Sequence, residues 1–374
     1  MNIKTFVAKI EGMGIDFYTG VPDSQLKALC DYLYLKYGAN SNKHIVAANE
    51  GAAVGLAAGC YLSTGKPALV YLQNSGIGNA INPIASLLNE KVYDIPCLFV
   101  IGWRGEPGVK DEPQHIYQGE ITLPLLEVMG INYFTISSDT TDEEYSQYIV
   151  EIDSLLKEKK SVAFVVKKDS LVLADKVKYS NEFSITREEA IRQIVTKTSS
   201  DHVFVSTTGK ASRELFEIRE ELSQSHENDF LTVGSMGHAS MIALGIAINK
   251  PERTIWCIDG DGAMVMHMGS ALVESKCQCE NLIHVVINNG AHESVGGMPV
   301  ATGATDFCKI AYALGFSHCF SADSIETLDK ILDEIMRLKG TRFLEIKTSI
   351  FSRKDLGRPT SSPKENKSIF MERL

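Results

Sequence analysis

Short apolar runs alternate with amphipathic stretches along almost the whole chain. In the first half the runs predict strands over residues 16–20, 44–48, 67–73, 97–102, 132–136 and 161–166. Helical patterns lie between them, among others over 24–36, 50–63 and 77–88. The opening MNIKTFVAKIEGMG reads as an amphipathic first helix. Residues 167–184 lose the pattern, and Thr186 and Glu189 then form a T-x-x-E capping box that opens a new helix. The second half repeats the alternation. Its strands are expected over 202–206, 230–233, 254–258, 282–288, 317–321 and 342–346, and its helices over 211–222, 238–248, 263–275, 307–314 and 325–338. Strands alternating with helices predict an α/β architecture, a parallel sheet flanked by helices on both faces, twice over. The expected division is 1–175, a linker over 176–185, 186–350, and a polar, irregular C-terminal tail over 351–374. The segment 102–118, WRGEPGVKDEPQHIYQ after its first glycine, has no periodicity and reads as a long functional loop.

A chain of 374 residues exceeds what one hydrophobic core usually organises, which agrees with two domains. No apolar run reaches the roughly 18 residues of a membrane span. The N-terminal stretch lacks the charged region, apolar run and cleavage site of a signal peptide, so a cytoplasmic protein is expected. The eight cysteines are scattered, and the lone C-x-C at Cys277 and Cys279 has no second pair at metal spacing. A net charge of −10 argues against nucleic acid or acidic membranes as partners.

The chemistry concentrates at strand ends. The run 254–258 leads into Asp259-Gly260-Asp261-Gly262-Ala263, and 282–288 ends on Asn288-Asn289-Gly290. Each is by itself a good tight turn. Together they set Asp261 and an asparagine side by side at the carboxyl edge of a parallel sheet, where such sheets bind ligands. Bare glycine amides suit a diphosphate, and carboxylate and amide oxygens are hard ligands suited to Mg²⁺. In the first half, Asn49-Glu50-Gly51-Ala52-Ala53 opens a helix, where Asn49 can cap and Glu50 can favour the helix dipole.

The G-D-G and N-N pair resembles the cofactor motif of thiamine-diphosphate-dependent enzymes, and N-E-G-A-A resembles the region of their essential glutamate. The resemblance implies thiamine diphosphate and Mg²⁺ as cofactors, with a pyrimidine-binding first domain, a diphosphate-binding second domain and no middle domain. It implies Asp261, Asn289 and the carbonyl of Ala291 as Mg²⁺ ligands. Glu50 would hydrogen-bond the pyrimidine and promote the tautomer that deprotonates the thiazolium carbon. Gly234-Ser235-Met236-Gly237 resembles the wedge that bends the cofactor, with Ser235 and Met236 against it. Thr208, Gly209 and Lys210, like Gly260, Gly262 and Ala263, would give further cofactor contacts, although 207–210 reads nearly as well as a plain loop. Because the glutamate and the diphosphate site come from different subunits in that family, a homodimer or higher homo-oligomer is expected.

Within the family, the segments 17–24, 73–76, 102–115, 289–297 and 354–359 look like those of phosphonopyruvate decarboxylases. Met298 departs from the pattern, standing where Gln is expected before Pro299. The resemblance implies decarboxylation of a small 2-oxo acid, 3-phosphonopyruvate, to phosphonoacetaldehyde and CO₂ in phosphonate biosynthesis. An acidic protein must gather cations around that substrate, and Arg104, Lys110 and His115 are the candidates. Arginine can grip a phosphonate with two parallel hydrogen bonds. The same loop reads otherwise as a solvated cluster with Glu106, Asp111 and Glu112. Asp23 and His115 are candidate proton-transfer groups, and helix capping explains Asp23 equally well. The alternatives are a sulfopyruvate decarboxylase, an acetolactate-type carboligase and a catalytically silent regulatory subunit.

Overall fold

The computed structural model describes residues 1–175, 177–301 and 305–374. The chain forms two compact units. One comprises Met1–Lys178 with Ser294–Ala301; the other comprises Tyr179–Glu293 with the described residues after Ala301. The division falls inside the 176–185 segment, of which Lys176 lies outside the described residues, as do residues 302–304 of the segment 186–350.

The first unit carries strands β1 (Tyr18–Gly20), β2 (His44–Val46), β3 (Ala68–Gln73), β4 (Cys97–Gly102), β5 (Asn132–Ile136) and β6 (Val162–Val166). They form one sheet in the order β2-β1-β3-β4-β6-β5, every pair parallel. The helices are α1 (Ile3–Gly12), α2 (Lys27–Tyr37), α3 (Glu50–Thr64), α4 (Ile77–Pro83), α5 (Pro113–Val128) and α6 (Asp142–Lys157). Strands covered on both faces need apolar residues at every position rather than at alternate ones. β6, Val-Ala-Phe-Val-Val, is buried throughout for that reason.

The second unit follows the same plan. Its helices are α7 (Arg187–Lys197), α8 (Lys210–Glu221), α9 (Ala239–Asn249), α10 (Asp261–Met266), α11 (Gly269–Cys277), α12 (Phe307–Leu314), α13 (Ile325–Ile335) and α14 (Pro363–Arg373). Strands β7 (Val203–Ser206), β8 (Asp229–Leu231), β9 (Ile255–Gly260) and β10 (Leu282–Asn288) are followed by the two-residue β11 (Ala291–His292) and, in the first unit's segment, β12 (Met298–Pro299). With β13 (His318–Ala322) and β14 (Arg342–Lys347) the six-stranded parallel sheet runs β13-β14-β10-β9-β7-β8. The Thr186–Glu189 capping box is formed in both directions. No helix among the described residues is long and apolar enough to cross a membrane.

Two expectations need correction. The aperiodic segment after β4 is shorter than 102–118, because α5 begins at Pro113 and places His115 on its first turn. Proline at the first helical position, needing no amide partner, was the signal in E-P-Q-H. The tail is not irregular throughout, since α14 occupies Pro363–Arg373 behind a Ser362–Glu365 capping box. Its polar composition hides it: only Asn366 and Phe370 are buried. Asn366 accepts from Leu231 N (3.1 Å) and donates to Asp229 O (2.8 Å), so one amide side chain satisfies the open edge of β8 as a neighbouring strand would.

Candidate active site

Four neighbouring strands of the first sheet, β2, β1, β3 and β4, end along one edge, and the candidate residues follow them directly. Glu50 starts α3 behind Asn49, whose Oδ1 accepts from Ala52 N at 2.8 Å. Its carboxylate is 5% exposed and accepts from Asn79 Nδ2 at 2.7 Å. Burial raises its pKa, and the Asn79 hydrogen bond offsets part of that. A Cβ on Gly76 would sit 2.2 Å from Glu50 Oε1, so the turn after β3 must be glycine for the carboxylate to lie there.

Asp23, after β1, is equally enclosed. It accepts from Gln73 Nε2 (2.5 Å) and Gln25 N (3.0 Å), and a Cβ on Gly102 would fall 2.2 Å from its Oδ2. Burial raises its pKa against the opposing pull of Gln73 and the charge of Arg104. Arg104, after β4, has its backbone locked by Asn74, which accepts from Arg104 N (3.0 Å) and donates to Arg104 O (2.8 Å). Its guanidinium donates twice to Asp111, at 2.8 and 2.5 Å, and reaches Ser24 Oγ at 3.3 Å. The two-pronged face is thus engaged by a carboxylate of its own chain. Lys110 is exposed beside this clasp. His115 is pushed down to about 4, by burial and then by the charge of Arg104, and its Nδ1 is buried without a hydrogen-bond partner among the described residues.

In the second sheet β10, β9, β7 and β8 are also neighbours, and Asn289, Asp261, Thr208 and Ser235 follow their carboxyl ends. Asp261 is 4% exposed. Its two oxygens accept from Gly262 N and Gly290 N, both at 2.8 Å, so one carboxylate ties together the turns after β9 and β10. Burial pushes it up to about 7 despite those amides. A buried carboxylate held by backbone amides rather than by a cationic side chain is what a divalent cation would relieve. The oxygens of Asn289 and the Ala291 carbonyl are hard donors of the kind Mg²⁺ takes. A Cβ added to Gly260 would meet nothing within 4 Å, leaving open space beside the backbone. The residues present therefore fit a Mg²⁺–diphosphate group.

Thr208 Oγ1 accepts from Gly234 N at 2.9 Å and ties its loop to the Gly234–Gly237 turn, where Ser235 is exposed in the left-handed region (φ 47°) and Met236 is half-buried. Gly209 adopts φ 96° just before α8. Lys210 does not point a bare amine at the turn: it donates to Glu293 Oε1 (2.8 Å) and Ser352 Oγ (2.5 Å). Glu293 was missed in the sequence. Its other oxygen accepts from Asn289 Nδ2 (3.2 Å) and Arg187 Nη1 (2.5 Å), while Arg187 also donates twice to Glu214. This buried network orients the Asn289 amide. Only the charge pattern of 187, 210, 214 and 293 could have hinted at it, and those residues come from three separate segments of the chain.

Residues 3–125 match the thiamine pyrophosphate enzyme N-terminal TPP binding domain, and residues 208–346 the C-terminal TPP binding domain. The chain is 32% identical to a phosphonopyruvate decarboxylase of Streptomyces viridochromogenes, covering 96% of this chain and 91% of that one. It is 29% identical to a phosphonopyruvate decarboxylase of Streptomyces hygroscopicus (100% and 94%). A sulfopyruvate decarboxylase of Methanosarcina acetivorans is 27% identical (96% and 94%). With both binding domains matched and relatives aligned over nearly their whole length, the chain belongs to the thiamine-diphosphate-dependent enzyme family.

Proposed function

We propose that this chain decarboxylates 3-phosphonopyruvate to phosphonoacetaldehyde and CO₂ with thiamine diphosphate and Mg²⁺. The observation that carries the reading is a pair of buried carboxylates, each at a sheet's carboxyl edge. Glu50 is poised by desolvation and Asn79, and Asp261 is clasped by two amides, with no side-chain cation bonded to it among the described residues. The first unit is the pyrimidine-binding domain and the second the diphosphate-binding domain. Asp261, Asn289 and the Ala291 carbonyl would hold Mg²⁺, and the open backbone at Gly260, with Gly262 and Ala263, would leave room for the diphosphate, while the Gly260 and Gly262 amides keep Asp259 and Asp261 in place. Thr208 and Gly209 shape the neighbouring loop, Ser235 and Met236 form the wedge, and Lys210 acts through Glu293.

Bound thiamine diphosphate supplies the carbon nucleophile and the electron sink for CO₂ loss. Glu50 holds or releases a proton at the pyrimidine, a task matched by a carboxyl whose pKa is raised. Arg104, supported by Lys110, receives the phosphonate. Asp23 and neutral His115 lie within reach of its charge and move the proton needed at the product carbon. Sulfopyruvate, the named substrate of one relative, is the competing substrate; it carries less charge for Arg104 to meet.

The working enzyme is proposed to be a homo-oligomer in which Glu50 of one subunit serves the diphosphate site of another. After Glu50, α3 has no charged residue up to Thr64, and Ala52, Gly55, Gly59 and Leu62 (74%) face outwards. A helix apolar on all sides is suited to being covered on all sides. Mixing two inactive variants, Glu50→Gln and Asp261→Ala, should restore activity through hybrid sites containing one intact copy of each residue. A mixture as inactive as its components would remove the shared-site reading.

A further inference from the structure

Three ionisable side chains lie beneath the Asp259–Gly262 turn, inside an apolar layer. His284, on β10, is 1% exposed; Asp259, at the end of β9, is 1% exposed; Glu274, on α11, is 2% exposed. Strand register sets His284 opposite Cys257, two residues before Asp259, so the ring shares a face with the Asp259 carboxylate. Its Nδ1 lies 2.9 Å from Glu274 Oε2, and its Nε2 lies 3.6 Å from Asp259 Oδ2. Around them are Val286, Phe343, Met264 and Ala271, with the Phe343 ring edge-on to His284 at 5.4 Å.

Apolar side chains of similar volume would fill this layer at least as stably, because burying charges costs more than their pairing usually returns. The cluster therefore calls for a reason other than packing. Asp259 Oδ1 accepts from Gly260 N at 2.9 Å, one residue before Asp261. A continuous line thus runs from α11 through the sheet to the peptide that launches Asp261.

We propose that His284 is a positioning residue for the Mg²⁺–diphosphate turn: anchored by Glu274, its ring holds Asp259 and hence the Gly260 peptide, fixing where Asp261 presents its oxygens. This rests on the reading of Asp261 as a metal ligand. Burial disfavours the charged ring, but Glu274 and Asp259 outweigh it and hold its pKa at about 10. The ring is then doubly protonated in the working range, hydrogen-bonded to Glu274 and facing Asp259 across 3.6 Å as an ion pair without a hydrogen bond, so it orients that carboxylate by charge.

Calorimetric titration of Mg²⁺ and thiamine diphosphate into the metal-free full chain, alongside thermal unfolding, tests this. His284→Gln should weaken binding by about 10- to 100-fold, the usual cost of losing an outer-shell partner. The double variant His284→Gln/Glu274→Gln, which leaves Asp259 as the one carboxylate of the cluster instead of two, should recover part of the melting temperature but not the affinity. Affinity that recovers together with stability would make the cluster purely structural and overturn the inference. Asp261→Ala is the control. If it binds as tightly as the parent, the site reading fails and takes the inference with it. If it binds weakly while His284→Gln binds normally, the inference alone fails. A measurement on the unmutated chain covers the case in which the variants do not fold. With ¹⁵N-labelled histidine, one ring should carry protons on both nitrogens at pH 8 and shift when Mg²⁺ and cofactor bind. Rings that are all singly protonated, or none that shifts, would overturn it. So would a transition metal retained by Cys257, Asp259 and His284, whose ligand atoms lie within 4.8 Å of one another.

Discussion

Arg104 is the residue on which substrate choice turns, and its geometry makes the test sharper than charge alone would. Asp111 already occupies its two-pronged face, so an incoming phosphonate must use the remaining guanidinium edge or displace that carboxylate. Arg104→Ala should therefore cost phosphonopyruvate about ten- to a hundredfold in kcat/KM beyond any loss with plain pyruvate, the worth of a charged hydrogen bond. Steady-state kinetics on both substrates decide it, and equal losses would mean that Arg104 only supports its loop. His115 offers a second test. Its folded pKa of about 4 lies below the value near 6.5 of an unfolded imidazole, so the unfolded chain binds the extra proton first. Its contribution is thus a loss of stability that sets in as pH falls below 6.5 and is complete below 4. Melting at pH 7 and pH 5 should show the parent losing about 1–2 kcal/mol more than His115→Asn. An equal loss in the two proteins would show that the folded ring takes its proton as readily as an unfolded imidazole. Glu50, Asp261 and Asn289 stand out in the sequence because each sits in a compact run with glycines. Their supporters Asn79, Glu293 and Arg187 do not, because only the fold brings them near, and no local spacing encodes that.

At the scale of elements, strands were the more legible. The runs at 97–102, 132–136 and 282–288 have the ends read from the sequence; for 97–102 the reason is that a strand buried on both faces is apolar from end to end. Helices were less so where local chemistry interrupts them. The pattern over 77–88 holds Pro83, where α4 ends and a wider turn over Ile84–Leu88 takes over; that over 263–275 is broken at His267 and Met268 into α10 and α11. The hardest was α14, whose role is to close an edge rather than fill a core. That role predicts a measurable effect. Asn366→Ala leaves Leu231 N and Asp229 O without their buried partner, and unsatisfied buried groups cost about 1–3 kcal/mol. Thermal unfolding should show a lowered midpoint, with Phe370 still packed against Phe230 at 5.5 Å. An unchanged midpoint would mean that the edge finds other partners.

For the whole molecule, the alternation of strands and helices was enough to read two parallel α/β units and no third, because each unit obeys the same covering rule. The excursion of Ser294–Ala301 into the first unit was not legible, since a short loop segment carries no periodicity that says where it packs. Met298, the departure from the family pattern, lies in that excursion and is fully buried. The net charge of −10 also acts at this scale: a substrate with two anionic groups meets general repulsion, which local cations such as Arg104 and Lys110 must overcome. The most direct test of the proposed activity is CO₂ release by the purified protein from pyruvate, 3-phosphonopyruvate and 3-sulfopyruvate, with and without thiamine diphosphate and Mg²⁺. Turnover is expected only when both are supplied, with the highest kcat/KM for 3-phosphonopyruvate. Preference for 3-sulfopyruvate would contradict the substrate, and no CO₂ from any of the three would contradict the decarboxylase itself.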